Sequence, residues 1–321
     1  MLSLESNELP DKDWNNRLLD SKMGTLYQTE DYGKYFEKLN QKPIFLKFLD
    51  STGEIVGQLL LLSSSPFSKK SGLKKLGKFF PKTKKETIKW SYGPVIFNEL
   101  KTNEIYELLD KFLISKNWLI KGSFHPFSKP YLNSKLYLQS WCTFIIDLSQ
   151  KKEKIFSQIQ KHSGQKNIER SIERGVSVHE IDEKLLVEYN NLINEKLISL
   201  NAETIPYENR LEYFNSMKKI GYKGYLAKKD DTPIGGLFFS FFNKYLIEGG
   251  LARSDFDFKE KLYSQDLIKW KIIEWGVDNK MNWFDIAGAN PNPTNTKEEG
   301  ILKYKKKWGG KQFNYHKIFN E

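Results

Sequence analysis

The spacing of apolar residues along the chain predicts two consecutive halves that each mix helices and strands. In the first half, strand-like runs at residues 44–49 and 55–62 flank an Asp-Ser-Thr-Gly sequence, which is the composition of a hairpin turn. A helical pattern precedes this hairpin, and a further helix and two strands follow it. We therefore expect an α/β domain over residues 1–149, with Ser149 capping the helix that comes next.

The second half opens with helices and continues with strands. Helical spacing covers residues 151–175, 185–200, 207–220 and 264–275, and strand-like runs cover residues 225–228, 234–242, 245–250 and 283–286. Pro291 and Pro293 lie just beyond the last of these strands and prevent its continuation, because proline lacks the N–H that a sheet needs. We expect a second α/β domain over residues 150–321. Its final segment either closes the second sheet or returns to the first domain.

Composition restricts the class of protein and of partner. With 321 residues and 39% hydrophobic residues, the chain can form two cores, and its net charge of +11 favours anionic partners. The first residues are too polar for a signal peptide, and the longest apolar run, residues 234–242, is shorter than the ~20 residues of a membrane span. One cysteine excludes an internal disulfide, and no metal site is indicated. We expect a cytoplasmic protein without a transmembrane segment.

Residues 66–89 have the most unusual composition in the chain, with nine lysines and one glutamate. The first interpretation is a solvated loop. The second is a peripheral contact with an anionic membrane at its inner face, or with an RNA backbone, because apolar residues recur at helical spacing among the lysines. Both interpretations stay open at this stage.

The stretch at residues 283–310 predicts a wall for an anionic ligand. A short strand and a polar loop lead into a helix at residues 300–307 that is closed by two glycines. The helix carries Tyr304 and Trp308 one turn apart, while Lys303, Lys305 and neighbouring lysines cover the rest of its circumference. We predict that Lys303, Tyr304 and Trp308 bind substrate.

A second cationic stripe is predicted on the helix that opens the second half. Lys166, Arg170 and Arg174 recur every four residues, and Ile168 and Ile172 are expected to pack inward. The three cations either pair with glutamates on the same helix or bind an anionic substrate. Three cations in line exceed what surface pairing requires, which favours substrate binding.

Three motif regions in this order resemble the FemABX peptidyltransferases and their FemAB-like (BioF2-like) GNAT relatives. They are the Gly-Pro-Val strand entry at residues 93–95, the sequence GQKNIERSIERGVSV at residues 164–178, and the ending ILKYKKKWGG at residues 301–310. The chain departs from the family in having Tyr92 where an arginine often precedes the glycine. It also has Ser171 for the usual alanine and Asn279 where a glycine is usual, so we expect Asn279 to supply a left-handed cap.

This resemblance implies two tandem GNAT-like domains, each with a mixed central sheet flanked by helices. It implies an acyltransferase with no tightly bound cofactor, which uses aminoacyl-tRNA or acyl-CoA as co-substrate. The acceptor would be the amine of an anionic, nucleotide- or lipid-linked precursor in peptidoglycan and cell-wall biogenesis, or of a surface glycan. Lys305 takes the place of the family's C-terminal lysine, which is expected to contact acceptor phosphate or donor.

The residues themselves leave the catalytic assignment open. Asp285 and Glu248 are the acidic candidates for a general base beside Lys305, although a structural role for Asp285 is favoured. The usual GNAT pyrophosphate loop is missing after Gly250, which counts against an acyl-CoA donor. Two alternatives stay open: an acyl-CoA-dependent N-acetyltransferase acting on an amino sugar, and a non-catalytic RNA- or membrane-binding protein built on a transferase fold.

Overall fold

The computed structural model describes residues 2–65 and 85–320, and internal contacts divide the chain into two compact units. Unit 1 comprises Met1–Thr143, Asn290–Asn292 and Phe313–Glu321, and unit 2 comprises Phe144–Ala289 and Pro293–Gln312. The last residues of the chain are therefore part of unit 1. The boundary predicted near Ser149 is one between domains that fold separately. A division by internal contacts does not test it, so it stays a prediction.

The described residues form mixed helices and strands throughout. The strands, in chain order, are β1 Ser3–Asn7, β2 Gln41–Leu49, β3 Ile55–Ser64, β4 Thr87–Lys89, β5 Val95–Ile96, β6 Leu119–Ser123, β7 Tyr137–Asp147, β8 Val176–Glu180, β9 Tyr222–Lys229, β10 Thr232–Phe242, β11 Tyr245–Arg253, β12 Trp283–Ala289 and β13 Lys311–Phe319. The α-helices are α1 Trp14–Leu19, α2 Glu30–Lys38, α3 Thr102–Ile114, α4 Lys152–Gln158, α5 Lys166–Glu173, α6 Glu183–Ser199, α7 Tyr207–Lys218, α8 Asp255–Lys259, α9 Ser264–Asp278 and α10 Thr296–Lys306.

The sheet of unit 1 follows the order β1-β2-β3-β4-β6-β13, and β5 adds to β3. The β2–β3 pair is the predicted hairpin, and its turn is held by the Asp50 carboxylate, which accepts from the backbone N–H of Thr52 (2.9 Å) and Glu54 (3.0 Å). Strand β4 is parallel to β6, and the other neighbouring pairs with a known register are antiparallel. This mixture agrees with the predicted α/β class.

The sheet of unit 2 follows the order β12-β11-β10-β9-β8, in which only the β11–β12 pair is parallel. Helices cover both faces of β10. A Cβ at Gly235 would lie 2.3 Å from Ser264 of α9, whereas one at Gly236 would lie 2.5 Å from Tyr189 of α6. Because successive strand residues face opposite sides of a sheet, α9 and α6 pack on opposite faces, and the two glycines allow that close approach.

Several local predictions are wrong, and each has a structural reason. The strand predicted to end at residue 286 continues to Ala289, since the prolines come only after it. Asn279 has φ −92°, and the left-handed residue after α9 is Lys280 with φ +56°. Ser149 does not cap α4, which begins three residues beyond it at Lys152; the Ser149 hydroxyl donates to the Asp147 carboxylate (2.6 Å) instead.

The lysine-rich segment at residues 66–89 is only partly accounted for. Residues 66–84 lie outside the described residues. The solvated loop and the contact with a membrane or RNA therefore both stay predictions there. Thr87–Lys89 form β4, paired with both β3 and β6, and the loop interpretation is wrong for these three residues. Ile88 is fully buried, which explains why this short run joins the sheet. Across the described residues, no helix combines the length and apolar character needed to cross a bilayer.

Candidate active site

Strands β11 and β12 begin as a parallel pair and then separate. Their register covers three residue pairs, from Tyr245 with Trp283 to Ile247 with Asp285, although both strands continue beyond this point. Ala287, with φ +61°, turns the backbone of β12 just after the last pair. Separated strands leave edges of N–H and C=O groups that can bind an extended substrate. We call this place the strand divergence.

Lys305 of α10 lies at the strand divergence. Its ammonium donates to the carbonyl oxygen of Ile286, the first β12 residue beyond the paired region, and the residue is 8% exposed. The helix therefore places a positive charge where the two strands separate.

Asp285 is also at the divergence, where its carboxylate binds within the fold. It is fully buried, and it accepts from the Tyr245 hydroxyl (3.0 Å) and from the backbone N–H of Ala287 (2.8 Å). The second contact fixes the left-handed turn of β12. These contacts describe a positioning role, and a role for Asp285 as general base stays a prediction.

Glu248 begins the separated part of β11. Its carboxylate forms an ion pair with Lys269 of α9, and the side chains of both residues are nearly or fully buried. Lys269 was not among the predicted site residues, because a lysine within a helix is ordinarily solvated. The pair holds Glu248 in a defined position and commits its carboxylate to a structural contact, while its predicted catalytic role stays untested.

A second buried ion pair lies next to the first. The Lys307 ammonium donates to both carboxylate oxygens of Asp266, at 2.6 and 2.8 Å. Asn167, which belongs to the GQKNIER motif, donates its amide to the same carboxylate (2.8 Å) and to the carbonyl of Ser163 (2.8 Å). Burial lowers the pKa of Lys307, and the Asp266 charge opposes that shift.

Two aromatic rings lie between the ion pairs. The Lys307 nitrogen is 4.3 Å and the Lys269 nitrogen 5.2 Å from the centre of the Tyr304 ring, and both nitrogens also lie over Trp308. Burial, followed by the charges of Asp266 and Glu248, raises the pKa of Tyr304 well above its usual range. Trp308 is fully buried. Tyr304 and Trp308 therefore support the buried charges, and direct substrate contact by them stays a prediction.

The cations of α5 divide into two groups. Lys166 and Arg170 are exposed, and their side chains have no ion pair or hydrogen-bond partner within residues 85–320 or 2–65, so pairing with glutamates on the same helix is not seen. Arg174 follows the helix, and its guanidinium donates to the backbone carbonyl of Glu260 (2.8 Å). The stripe is therefore two free cations and one structural arginine.

The inward face of α5 also differs from the prediction. Ile168 is buried as expected, but Ile172 is 58% exposed, so its predicted inward packing is wrong. Ser171 is fully buried in its place, on the helix that packs against α9. Residues 168 and 171 are three apart and share the buried face, and the small serine allows the two helices to approach closely.

The N-terminus of α9 already holds an anion from the protein itself. The Asp257 carboxylate accepts from the backbone N–H of Ser264 (2.9 Å), the first residue of α9, and is paired with Arg253. Asp257 is fully buried. Helix N-termini attract phosphate groups because their N–H groups are free. Here the Asp257 carboxylate occupies that position, which agrees with the absence of the usual GNAT pyrophosphate loop from the sequence after Gly250.

Comparison with known proteins gives a fold but no sequence relative. No protein-family model matches the chain, and no curated protein matches it. The crystal structure of FemX superposes with a TM-score of 0.68 and 12% identity, covering 98% of each chain. L-PGS from Bacillus licheniformis gives a TM-score of 0.52 at 12% identity, over 98% of this chain and 93% of its own.

A third structure bears on the tandem arrangement. The tandem GNAT protein from the clavulanic acid biosynthesis pathway matches with a TM-score of 0.53 and 10% identity, over 99% of this chain and 98% of that one. These likenesses confirm the predicted α/β fold of two tandem GNAT-like domains. The chain therefore has the FemAB-like GNAT fold, which it shares with FemX over 98% of each chain.

Proposed function

We propose that the protein transfers an activated acyl group to an amine at the strand divergence. The observation that carries this proposal is the end of β11–β12 pairing at Ile247 and Asp285, with the Lys305 ammonium at the next carbonyl. The edges of two separating strands and a fixed positive charge in one place suit a reaction whose transition state develops an oxyanion.

The reaction needs little further machinery. The amine nitrogen attacks the acyl carbon, the carbonyl oxygen becomes an oxyanion, and the bond to the leaving oxygen or sulfur then breaks. The proton lost by the attacking nitrogen ends on the leaving group. Backbone N–H groups of the separated strands and the Lys305 ammonium are the proposed donors to the oxyanion, and the Lys307–Asp266 ion pair holds the end of α10 against α9.

We infer that the donor is an aminoacyl ester, as in aminoacyl-tRNA, and not acyl-CoA. The support is the Asp257 carboxylate, which occupies the N-terminus of α9 beside Arg253, because a CoA pyrophosphate placed there would have to displace it. The donor's amino-acid carbonyl would be the electrophile, and the ribose hydroxyl would be the leaving group.

We propose an anionic acceptor that carries the amine, such as a cell-envelope precursor or a surface glycan. The support is the resemblance of the three motif regions together with the free cations Lys166 and Arg170. A cytoplasmic site of action, with peripheral contact at the inner membrane face, belongs to the same proposal.

The test is consumption of the two donor classes by the purified protein with a mixture of amine acceptors. Charged tRNA should lose its amino acid to an amide product, and Lys305→Met should slow this at least about 100-fold, since one lost oxyanion donor costs that much. Lys297→Met is the matched control, because Lys297 is an exposed lysine of the same helix. A melting curve for each variant separates lost activity from lost fold.

Two results would overturn parts of the proposal. Saturable binding of acetyl-CoA below about 1 mM, with turnover, would assign an N-acetyltransferase instead, since that affinity corresponds to about 4 kcal/mol of recognition. Turnover of neither donor, combined with RNA binding that survives Lys305→Met, would assign a non-catalytic binding protein.

A further inference from the structure

We propose that a pocket on the outer face of α10 binds the phosphate group of a phosphoester ligand. This site is separate from the acyl-transfer chemistry, and its occupation can be measured without turnover. The pocket belongs to unit 2 and has a volume of 410 Å³. Its lining residues are Gln158, Gln160, Pro293, Glu299, Leu302, Lys303, Lys306 and Lys307.

Helix α10 separates this pocket from the strand divergence. Glu299, Lys303 and Lys306 recur at spacings of four and three residues and therefore share one face of the helix. Lys305 is about 100° away around the helix from its neighbour Lys306, and it points to the Ile286 carbonyl. The same helix thus presents one lysine to the divergence and others to the pocket.

The lysines of the pocket differ in what they already bind. Lys307 is committed to Asp266, as its two short contacts require. Lys303 and Lys306 are exposed, and within the described part of the chain neither ammonium group has an ion pair or a hydrogen-bond partner. Like charges three residues apart on a helix repel each other, so an anion bound between them would relieve that repulsion.

The opposite wall supplies a neutral donor. The Gln160 side-chain oxygen accepts from the Ser163 hydroxyl, which turns the Gln160 amide nitrogen toward other acceptors. That nitrogen donates to no group within residues 2–65 and 85–320. The backbone N–H of Gln160 donates to the Lys307 carbonyl (2.7 Å), which fixes the distance between the two walls. The side chains of two lysines and one glutamine with an uncommitted amide nitrogen therefore line the same pocket.

The arrangement favours a phosphoester over a simple carboxylate. A phosphate offers three acceptor oxygens in different directions, which matches donors arriving from two walls, and Lys binds phosphate as a point charge. The volume exceeds what a single oxyanion needs, which leaves room for the ester group beside Leu302. Glu299 on the same helix face repels an anion placed too far toward the start of α10 and so limits where the phosphate lies.

Binding of three probes tests the proposal: inorganic phosphate, UDP, and a mixed-sequence single-stranded RNA of about eight nucleotides, which is within the usual site size of such contacts. The double substitution Lys303→Gln with Lys306→Gln should raise the Kd of the best probe at least about tenfold, or about 1.4 kcal/mol. The matched control is Lys259→Gln with Lys297→Gln, which removes two exposed charges outside the pocket.

Glu299→Gln should change the Kd in the opposite direction. Tighter binding cannot result from unfolding, so this variant separates loss of the site from loss of the fold. It removes a repulsive charge from the pocket, so the Kd should fall by about threefold. UDP bound more tightly than RNA would indicate a nucleotide-linked ligand, and RNA bound more tightly, with a steeper salt dependence, would indicate a polynucleotide backbone.

Either preference supports the phosphate site. An equal loss of probe affinity in the pocket double variant and in its control would mean that the probe responds only to the overall positive charge of the protein. That result would overturn the proposed phosphate site. Absence of saturable binding of all three probes below about 10 mM would do the same. Neither result touches the acyl-transfer proposal, whose test is turnover.

Discussion

A buried histidine of unit 1 and two buried lysines of unit 2 are accommodated in opposite ways. In unit 1, His125 is fully buried, and its Nδ1 accepts the backbone N–H of Phe127 (3.0 Å), so this nitrogen carries no proton. Burial lowers the pKa of His125 to about 3. In unit 2, Lys269 and Lys307 are buried, and each forms an ion pair with a carboxylate.

The difference shows what each kind of burial depends on. A neutral buried group is stable as long as the pH keeps it neutral. A buried ion pair depends on its partner, because either charge left alone would carry its whole desolvation cost. His125 should therefore make unit 1 sensitive to acid, and the two ion pairs should make unit 2 sensitive to substitution of one member of a pair.

The largest effect is expected for Asp266→Ala. It leaves the Lys307 ammonium unpaired in a buried position and should lower the free energy of unfolding by about 3–5 kcal/mol. Urea denaturation measures this. The double variant Asp266→Leu with Lys307→Met removes both charges and should recover most of the loss. A loss below about 1 kcal/mol in the single variant would show that Lys307 escapes to water or becomes neutral without cost.

Acid should affect unit 1 through His125. Because its folded-state pKa lies below the unfolded value of 6.5, the unfolded chain binds more protons between the two values. The contribution of neutral His125 to the free energy of unfolding is therefore complete above the pKa of the unfolded state. It is lost as the pH falls toward the pKa of the folded state. The loss from this group at about pH 4 should be roughly 3 kcal/mol.

The His125→Gln variant provides the control for that experiment. Glutamine can accept the Phe127 N–H but does not titrate, so its unfolding free energy should fall less steeply between about pH 6.5 and pH 4. Parallel pH curves for the wild type and the variant would show that another group causes the acid response.

Asn167→Ala should have a smaller effect on unit 2. It removes a neutral donor to the Asp266 carboxylate while the Lys307 pair remains, so a loss of about 2 kcal/mol is expected. A double-mutant cycle with Asp266→Asn should show coupling above about 0.5 kcal/mol. Additive losses would mean that the contact to Ser163 carries the role of Asn167.

The smallest effect is expected for Asp110→Asn in unit 1. Burial raises the pKa of Asp110, and the carboxylate accepts the backbone N–H of Lys135 (3.1 Å) without an ion pair among the described residues. An amide can accept the same bond, so the free energy of unfolding should change by less than about 1 kcal/mol. A loss as large as that of Asp266→Ala would contradict the contrast between the units.

Much of the fold could be predicted because local patterns and tertiary structure agree. The hairpin at residues 50–53, the alternation of helices and strands in both halves and the three motif regions led to the tandem fold. The errors occur where one residue type can serve two purposes. Ser149 could cap a helix or bind its own turn, and Ile172 lies at the edge of a buried face that Ser171 completes.

The site was predicted only in part, because pairing between distant residues has no local signal. Lys305 and Glu248 were chosen from their positions in motifs. Lys269 and Asp266 were missed, since their partners lie 21 and 41 residues away. One signal was available: Asp266 and Lys269 are polar residues on the face of a helix whose other positions, such as Ile268 and Ile272, are apolar. A charge on an otherwise buried helix face predicts a buried partner.

The return of β13 to unit 1 has a consequence for the order of folding during synthesis. Lys317–Phe319 pair with β6, and the Asn320 side chain bonds the backbone of Trp118 and Ile120, about 200 positions earlier in the chain. A ribosome delivers these residues only after all of unit 2 has emerged. During synthesis, β6 therefore lacks its β13 partner until unit 2 has been made. A nascent chain stalled before residue 311 should be unusually accessible to proteases and chaperones at β6.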